Sequence, residues 1–308
     1  MGERDESKRD ASQAQSAAGG GVASRPLAPG LYLVATPIGN AADITLRALD
    51  ILARADAIAA EDTRQTRKLM DIHAIPLAGR PLVSYHDRNG AERRPQIQRW
   101  LEDGKVVAYC SDAGTPLIAD PGFRLAEMAI VGGHGLTAAP GSSAVITALS
   151  LSGLPSDRFL FAGFLPTKSG ARQAVLNDLA AVPATLIFYE SPKRLVKCLS
   201  DMEICLGATR PAAVARELTK RFEEVRRGSL ADLAAAYASE DPPKGEIVIL
   251  IGPPDPAEAK AANLGSLDDQ LLVALKTLSV KDAASEVAAR LKLPRRDVYA
   301  RALELSGK

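Results

Sequence analysis

The sequence of 308 residues lacks the features of several common protein classes. No run of 18 uninterrupted apolar residues occurs, which argues against a membrane-spanning helix. The first residues are polar and charged and carry no apolar signal-peptide core. The three cysteines, Cys110, Cys198 and Cys205, have the spacing of neither a disulfide framework nor a metal site. We therefore predict a cytoplasmic protein that needs no disulfides.

The sequence also lacks several signatures of catalysis. The three histidines, His73, His86 and His134, lie far apart without cysteines or carboxylates at ligand spacing, so we expect no metal site. Neither a P-loop nor a G-x-S-x-G nucleophile elbow occurs. The formal net charge of +1 does not by itself indicate a nucleic-acid-binding protein, although an average charge conceals local basic patches.

Short apolar runs alternate with helical patterns from Gly30 onward, which is typical of an α/β architecture. We predict an N-terminal α/β domain over residues 28–141 and a second α/β domain over 142–253. Residues 1–27 contain almost no large apolar side chains and are expected to form a disordered tail. Proline and glycine then predict a linker over 254–265, followed by a small helical module over 266–308.

A strand–loop–helix unit at the start of the first domain has the character of a ligand platform. The apolar run Leu31–Ala35 ends at the loop Thr36–Asn40, and a helical pattern begins at Asp43. The loop holds proline and glycine, as expected where backbone lies close to a ligand at the carboxyl edge of a sheet. It lacks the G-x-G-x-x-G fingerprint, which disfavours a nicotinamide enzyme. Considered alone, the loop is better explained as an ordinary tight turn between a strand and a helix.

Polar and charged residues follow most predicted strands. In the first domain they are Glu61–Arg64, Tyr85–Asn89, Ser111–Pro116 and Ile118–Gly122. In the second domain they are Tyr189–Arg194 and Arg216–Lys220. Because ligands bind where the carboxyl ends of parallel strands meet, we predict one shared site, although a solvated turn explains any single loop. Lys193 and Arg194 oppose the dipole of the helix they begin, which favours contact with an anion over helix stabilisation.

Eight of these segments, taken in order, resemble those of a known family. They are Thr36–Asn40, Glu61–Arg64, Ser84–His86, Ser111–Pro116, Asp120–Gly122, Pro140–Ala144, Phe188–Pro192 and Arg216–Lys220. The chain resembles the ribosomal RNA small subunit methyltransferase I group of the tetrapyrrole-methylase-like superfamily. The first loop holds fewer glycines than is usual in that superfamily, which favours the RNA branch over the tetrapyrrole branch.

The resemblance implies two α/β domains of the tetrapyrrole-methylase type with S-adenosylmethionine bound in a cleft between them, and a homodimer. It implies 2′-O-methylation of a cytidine ribose in the decoding region of 16S ribosomal RNA, on the 30S subunit. The cofactor-binding residues that it implies are Pro37, Asp112, Ala113, Gly114, Thr115, Ser142, Ser143, Tyr189, Ala215 and Gly245.

The expected reaction is in-line attack of a ribose 2′-hydroxyl on the sulfonium methyl, which requires alignment and no metal. We predict a catalytic role for Glu190 or Glu217 in substrate orientation and for Lys193 or Arg216 in phosphate contact. A structural ion pair between Arg216 and Glu217 is an equal alternative. The predicted RNA-binding residues are Arg64, Arg88, Arg93, Arg94, Lys193, Arg194, Arg295 and Arg296.

Two other functions stay open at this point. A methyltransferase acting on a tetrapyrrole precursor would share the cofactor site but would have no use for the C-terminal helices. A DNA-binding regulator without enzymatic activity would depend on those helices alone, because Lys281–Pro294 has the rhythm of a helix-turn-helix. A helical hairpin without a nucleic-acid role explains the same pattern.

Overall fold

A computed structural model describes residues 26–255, 267–291 and 293–306. The chain divides into two compact units, one holding residues up to 147 together with 218–221, the other holding 148–217 and the residues from 222 onward. The predicted tail lies outside the described residues up to position 25, and the predicted linker lies outside them from position 256.

The first unit is built on a five-stranded parallel sheet with the order β3-β2-β4-β1-β5. Its strands are β1 (Gly30–Val34), β2 (Ala57–Ala60), β3 (Leu82–Ser84), β4 (Val106–Cys110) and β5 (Leu136–Ala139). Its helices are α1 (Leu46–Arg54), α2 (Thr63–Ile72), α3 (Gly90–Glu102) and α4 (Phe123–Val131), and α5 (Ala144–Ser152) begins in this unit.

Both faces of this sheet are buried under helices. Ile51 of α1 and Met70 of α2 pack on one face, whereas Trp100 of α3 and Leu125 of α4 pack on the other. Strands covered on both sides read as continuous apolar runs, and β4 is buried at all five positions. The sheet is therefore a rigid support whose strand ends hold the loops in place.

The second unit contains a mixed sheet with the order β6-β7-β10-β8-β9, in which only β6 and β7 are parallel. The strands are β6 (Phe159–Phe164), β7 (Thr185–Glu190), β8 (Pro211–Arg216), β9 (Glu224–Ser229) and β10 (Ile247–Ile251). Helices α6 (Ser169–Leu179), α7 (Leu195–Leu206) and α8 (Leu230–Ser239) share one apolar core with this sheet.

The C-terminal residues form three helices, α9 (residues 267–274), α10 (Val280–Leu291) and α11 (Arg295–Leu305). They enclose a small apolar core that includes Leu271, Val287 and Val298. The sequence pattern predicts the first of these helices over Leu271–Leu278, but the helix ends at residue 274 and residues 275–277 form a turn before Ser279, which caps the next helix. The Ser279 hydroxyl accepts the Asp282 N–H at 3.2 Å.

The α/β class predicted from the sequence is confirmed by the two sheets and their helices. The start of the first helix is not at Asp43 as expected. Ala41–Asp43 form a short 3-10 turn capped by Asn40, and α1 begins at Leu46 because the Thr45 hydroxyl accepts the Ala48 N–H at 3.1 Å. None of the helices in the described parts of the chain has both the length and the apolar character needed to cross a membrane.

Candidate functional site

The loops after β1 and β4 meet at the centre of the first sheet. The Thr36 N–H donates to the Gly114 carbonyl at 2.9 Å, and the Gly114 N–H donates to the Thr36 carbonyl at 3.0 Å. From β1 the chain continues to β2 on one side, and from β4 it continues to β5 on the other side. Ligands of open α/β sheets bind at such a reversal of strand order. These two loops therefore define the candidate site.

The loop after β5 joins the same place. The Thr115 hydroxyl donates to the Ser142 carbonyl at 3.0 Å, and Gly114 has a φ of +80°, a conformation that favours glycine. Gly114, Thr115 and Ser142 are thus brought together, and the predicted cofactor residues Pro37, Ala113 and Ser143 belong to the same three loops. Their role in cofactor binding stays a prediction.

Carboxylates tie the loop after β2 to the loop after β4. The Asp62 N–H donates to Asp112 Oδ1 at 2.9 Å, and the Asp112 N–H donates to Glu61 Oε2 at 3.2 Å. Burial raises the pKa of both Glu61 and Asp112, against the lowering effect of these hydrogen bonds. Beside them lies a recess of about 390 Å³ lined by Glu61, Asp62, His86, Asp87, Arg88, Asp112 and Pro121.

Asp120 lies in one of the loops predicted for the shared site, but the sequence analysis gave it no role of its own. Burial, followed by the negative charge of Glu61, raises the pKa of Asp120 to about 7. The backbone that presents it is unusual, because Leu117 and Ala119 both have positive φ angles and the Tyr109 hydroxyl donates to the Pro121 carbonyl at 2.7 Å. The one available signal was an aspartate before Pro-Gly in a loop that follows a buried strand.

The loop after β3 is held by Asn89. Its Oδ1 accepts the His86 N–H at 2.9 Å, and its Nδ2 donates to the Ser84 carbonyl at 3.1 Å. Of the predicted RNA-binding residues, Arg88 lines the recess and Arg64 lies at the same edge in an ion pair with Asp62 at 2.6 Å. Arg93 and Arg94 lie on α3, and Arg295 and Arg296 lie exposed at the start of α11. Four of these predicted cations therefore belong to the first unit and two belong to the C-terminal helices.

Residues 218–221 complete the first unit by packing on the loop after β1. The Asn40 N–H donates to the Thr219 hydroxyl at 3.1 Å, and a Cβ on Gly39 would lie 2.5 Å from Lys220 Cγ. The sequence reading attributed the glycine of this loop to the approach of a ligand. In the structure, a segment of the protein itself occupies that space.

In the second unit, Glu190 is buried at the end of β7, with 3% of its surface exposed. Its Oε1 accepts the Ser191 N–H at 2.7 Å, and its Oε2 lies 3.1 Å from Arg194 Nη2. Arg194 also donates to the Leu165 carbonyl at 2.6 Å. These contacts favour positioning roles for Glu190 and Arg194, whereas Lys193 is exposed.

Glu217 and Gly245 form a local pair. The Glu217 carboxylate accepts the Glu246 N–H at 3.0 Å, and a Cβ on Gly245 would lie 2.3 Å from Glu217 Cγ. Gly245 therefore makes room for a side chain, and its φ of +99° also favours glycine. Arg216 forms an ion pair with Glu224 at 3.2 Å.

Tyr189 and Ala215 lie on the two strands that flank β10. Each of them is the register partner of Val248, so both residues stand at the same level of the sheet. Each of them lies one residue before the end of its strand, which is Glu190 in β7 and Arg216 in β8. Their predicted contact with a cofactor is not tested by this placement. Across the described residues, no group of histidine, cysteine and carboxylate side chains could hold a metal ion.

Comparisons with known proteins agree with this geometry. The family model described as Tetrapyrrole (Corrin/Porphyrin) Methylases matches residues 30–234. A second model, described as RsmI C-terminal HTH domain, matches residues 261–306. Among solved structures, the uroporphyrin-III-C-methyltransferase of Thermus thermophilus is similar with a TM-score of 0.52 and 21% identity, covering 73% of this chain and 94% of that one. At that identity the similarity concerns the fold alone.

Two relatives carry the same name. A protein of Mesorhizobium japonicum named ribosomal RNA small subunit methyltransferase I is 52% identical over 92% of this chain and 95% of its own length. A protein of Synechocystis sp. with that name is 44% identical over 89% of this chain and 98% of its own length. Together with the strand-order reversal and its loops, these matches show that the chain belongs to the tetrapyrrole methylase family, in the group of the ribosomal RNA small subunit methyltransferases I.

Proposed function

We propose that this protein uses S-adenosylmethionine to methylate the ribose 2′-oxygen of a cytidine in the decoding region of 16S ribosomal RNA, on the small subunit. The observation that carries the proposal is the pair of hydrogen bonds between Thr36 and Gly114 at the strand-order reversal, in a chain whose relatives are named as methyltransferases of small-subunit ribosomal RNA. A cytoplasmic homodimer that needs no metal is part of the same proposal.

The residues of the first sheet edge fit the proposed cofactor. A Cβ on Gly114 would lie only 3.3 Å from Ile38 Cγ2, so glycine keeps this backbone uncrowded at the point where the three loops meet. Glu61, Asp112 and Asp120 supply negative charge to the same edge. When bound, S-adenosylmethionine supplies a positively charged sulfonium with an electrophilic methyl group. Carboxylates near such a cation favour its binding over that of the neutral product.

The protein's own task is then to align the ribose hydroxyl and to accept its proton. Alignment by the fixed loops contributes more to the rate than proton transfer does, because reactants that are already held in the correct orientation lose little further translational and rotational entropy in the reaction. Asp120 is our candidate for the proton acceptor, because a pKa of about 7 suits proton transfer at neutral pH. Glu190 and Glu217 already accept backbone N–H groups, so we propose that they orient the substrate through the loops they hold.

The test is methyl transfer from labelled S-adenosylmethionine to four substrates: 30S particles without the modification, free 16S RNA, DNA and a tetrapyrrole precursor. We expect label in the 30S particle, recovered as a methylated cytidine whose phosphodiester resists alkaline cleavage because the 2′-oxygen is blocked. A Gly114→Val variant is the matched control, since its added side chain meets Ile38 in a left-handed backbone. Label confined to the tetrapyrrole, or on a base, would contradict the proposal.

A further inference from the structure

Strand β6 ends in a β-bulge, which places Phe164 on the same face of the sheet as Phe161. Phe161 is the register partner of Ile187, and the next register pair is Phe164 with Tyr189. The chain therefore advances three residues along β6 for two residues along β7. In a regular strand Gly163 would stand opposite Tyr189, and Phe164 would point to the other face. Gly163 has a φ of +66°, which suits an extra residue of this kind.

The bulge places two phenyl rings around one tyrosine. The Tyr189 ring lies 4.8 Å from the Phe161 ring and 5.5 Å from the Phe164 ring, with both pairs inclined at 63°. We call Phe161, Phe164 and Tyr189 the aromatic platform. The Phe164 side chain is 60% exposed, although burying a phenylalanine normally contributes about 2 kcal/mol to folding. An exposed ring in a strand that is bent to present it calls for a ligand.

A buried ion pair fixes both sides of the platform. Glu190 follows Tyr189 directly and lies 3.1 Å from Arg194 Nη2. That same nitrogen donates to the carbonyls of Leu165 and Pro166, the two residues after Phe164, at 2.6 and 3.2 Å. The rings are therefore held in place before any ligand arrives, which lowers the entropic cost of binding.

Exposed cations border these segments. Lys168 lies four residues after Phe164 at the start of α6, and Lys193 precedes Arg194 at the start of α7. The charge of Arg194 is balanced by Glu190, whereas Lys193 remains exposed. Aromatic faces combined with lysines are the composition of sites that bind single-stranded nucleic acids, in which bases stack on rings and phosphates meet cations.

We propose that the aromatic platform stacks on an unpaired nucleobase of the RNA substrate, with Lys168 and Lys193 neutralising the adjoining phosphates. This inference rests on the proposed function, since it gives that function a place where the substrate strand is held. Stacking tolerates any base, so the platform positions the strand and leaves the choice of nucleotide to other contacts. The planar base has a second conceivable source, the adenine of the cofactor, and the experiment separates the two.

The experiment compares Phe164→Ala, Phe164→Leu and Phe164→Tyr with Phe159→Ala, which removes an exposed ring from the other end of the same strand. Dissociation constants are measured for the 30S particle by filter binding and for S-adenosylmethionine by calorimetry. We expect Phe164→Ala and Phe164→Leu to weaken RNA binding by about 5- to 150-fold, the loss of one stacked base. Phe164→Tyr retains a ring face and should restore binding, and affinity for the cofactor should stay unchanged.

Phe164→Leu guards against misfolding, since it keeps the apolar bulk of an exposed side chain and removes only the ring. The inference is overturned if Phe164→Leu binds RNA as Phe159→Ala does, or if Phe164→Ala and Phe164→Leu lose cofactor affinity to the same extent as RNA affinity. If the wild-type protein methylates no RNA, the proposed function is contradicted instead. In that case the binding measurement would still test whether the aromatic platform contacts RNA.

Discussion

The strand ends of the two sheets both carry carboxylates, but in opposite surroundings. At the first sheet, Glu61 and Asp112 accept backbone N–H groups, Asp120 lies within reach of the charges of both, and burial raises the pKa of all three. In the second unit, Glu190 lies against the Arg194 guanidinium. Burial also acts on Asp201, but hydrogen bonds from Gln173, Ser169 and Arg172 outweigh it and lower the pKa of that carboxyl.

This difference separates two roles for an acidic residue near the end of a strand. A carboxylate with its own cation holds loops together, as Glu190 holds the residues on either side of the aromatic platform. A group of carboxylates without such partners concentrates negative charge, which suits a cationic ligand or a proton transfer.

Replacing Glu190 by alanine should produce the largest loss of stability. The variant leaves the Arg194 guanidinium partly buried without its carboxylate, so we expect the free energy of unfolding to fall by about 3 kcal/mol. Urea denaturation measures the change. Glu190→Gln, which keeps an oxygen acceptor, should lose less than half as much. Equal stability of Glu190→Ala and wild type would mean that the ion pair does not hold these loops.

Gly245→Ala should cost about 2 kcal/mol of stability, because alanine is strained at a φ of +99° and its Cβ would displace the Glu217 side chain from the Glu246 N–H. Thermal unfolding measures the loss, and Gly79→Ala is the control, with a positive φ but open space around its Cβ. If Gly245→Ala lowers cofactor affinity while leaving stability at the level of Gly79→Ala, the predicted cofactor contact outweighs the structural role described here.

Asp120→Asn should change how stability depends on pH. The pKa of Asp120 is about 7 in the folded protein against an ordinary value of 3.8, so the folded state binds the proton more tightly than the unfolded state. The wild type then loses this contribution as pH rises from about 4 to 7, and the variant does not. At pH 8 the variant should be more stable by about 1 kcal/mol, a figure reduced for solvent contact. Parallel stability curves between pH 4 and 8 would contradict the shift.

Arg64→Ala should leave the thermal midpoint unchanged, because its ion pair with Asp62 lies in solvent. The same variant should lower the slope of log affinity for 30S particles against log salt by about 1, the value for one phosphate contact. Arg290→Ala removes an exposed arginine from a comparable pair with Glu286 on α10 and serves as the control. An unchanged salt slope in Arg64→Ala would remove Arg64 from the proposed RNA surface.

Much of the fold was predictable because local patterns specify buried strands. The structure has β1 at Gly30–Val34, one residue from the apolar run Leu31–Ala35 expected to form that strand. The helix expected from Asp43 was wrong at its start, since the Thr45 cap decided it. The loops of the first sheet edge were predicted one by one, but the bonds that join Thr36 to Gly114 depend on strand order, which no local pattern contains.

The sequence by itself determined the α/β class, the family and the residues that follow each strand, because these depend on neighbours along the chain and on motif order. The tertiary structure decided what those residues do. Gly39 and Gly245 make room for side chains from distant segments, and Glu190 and Asp120 differ in charge compensation although one ends a buried strand and the other lies in the loop after one. The physical reason is that burial and electrostatic partners set the state of a charged group, and both arise only when distant parts of the chain come together.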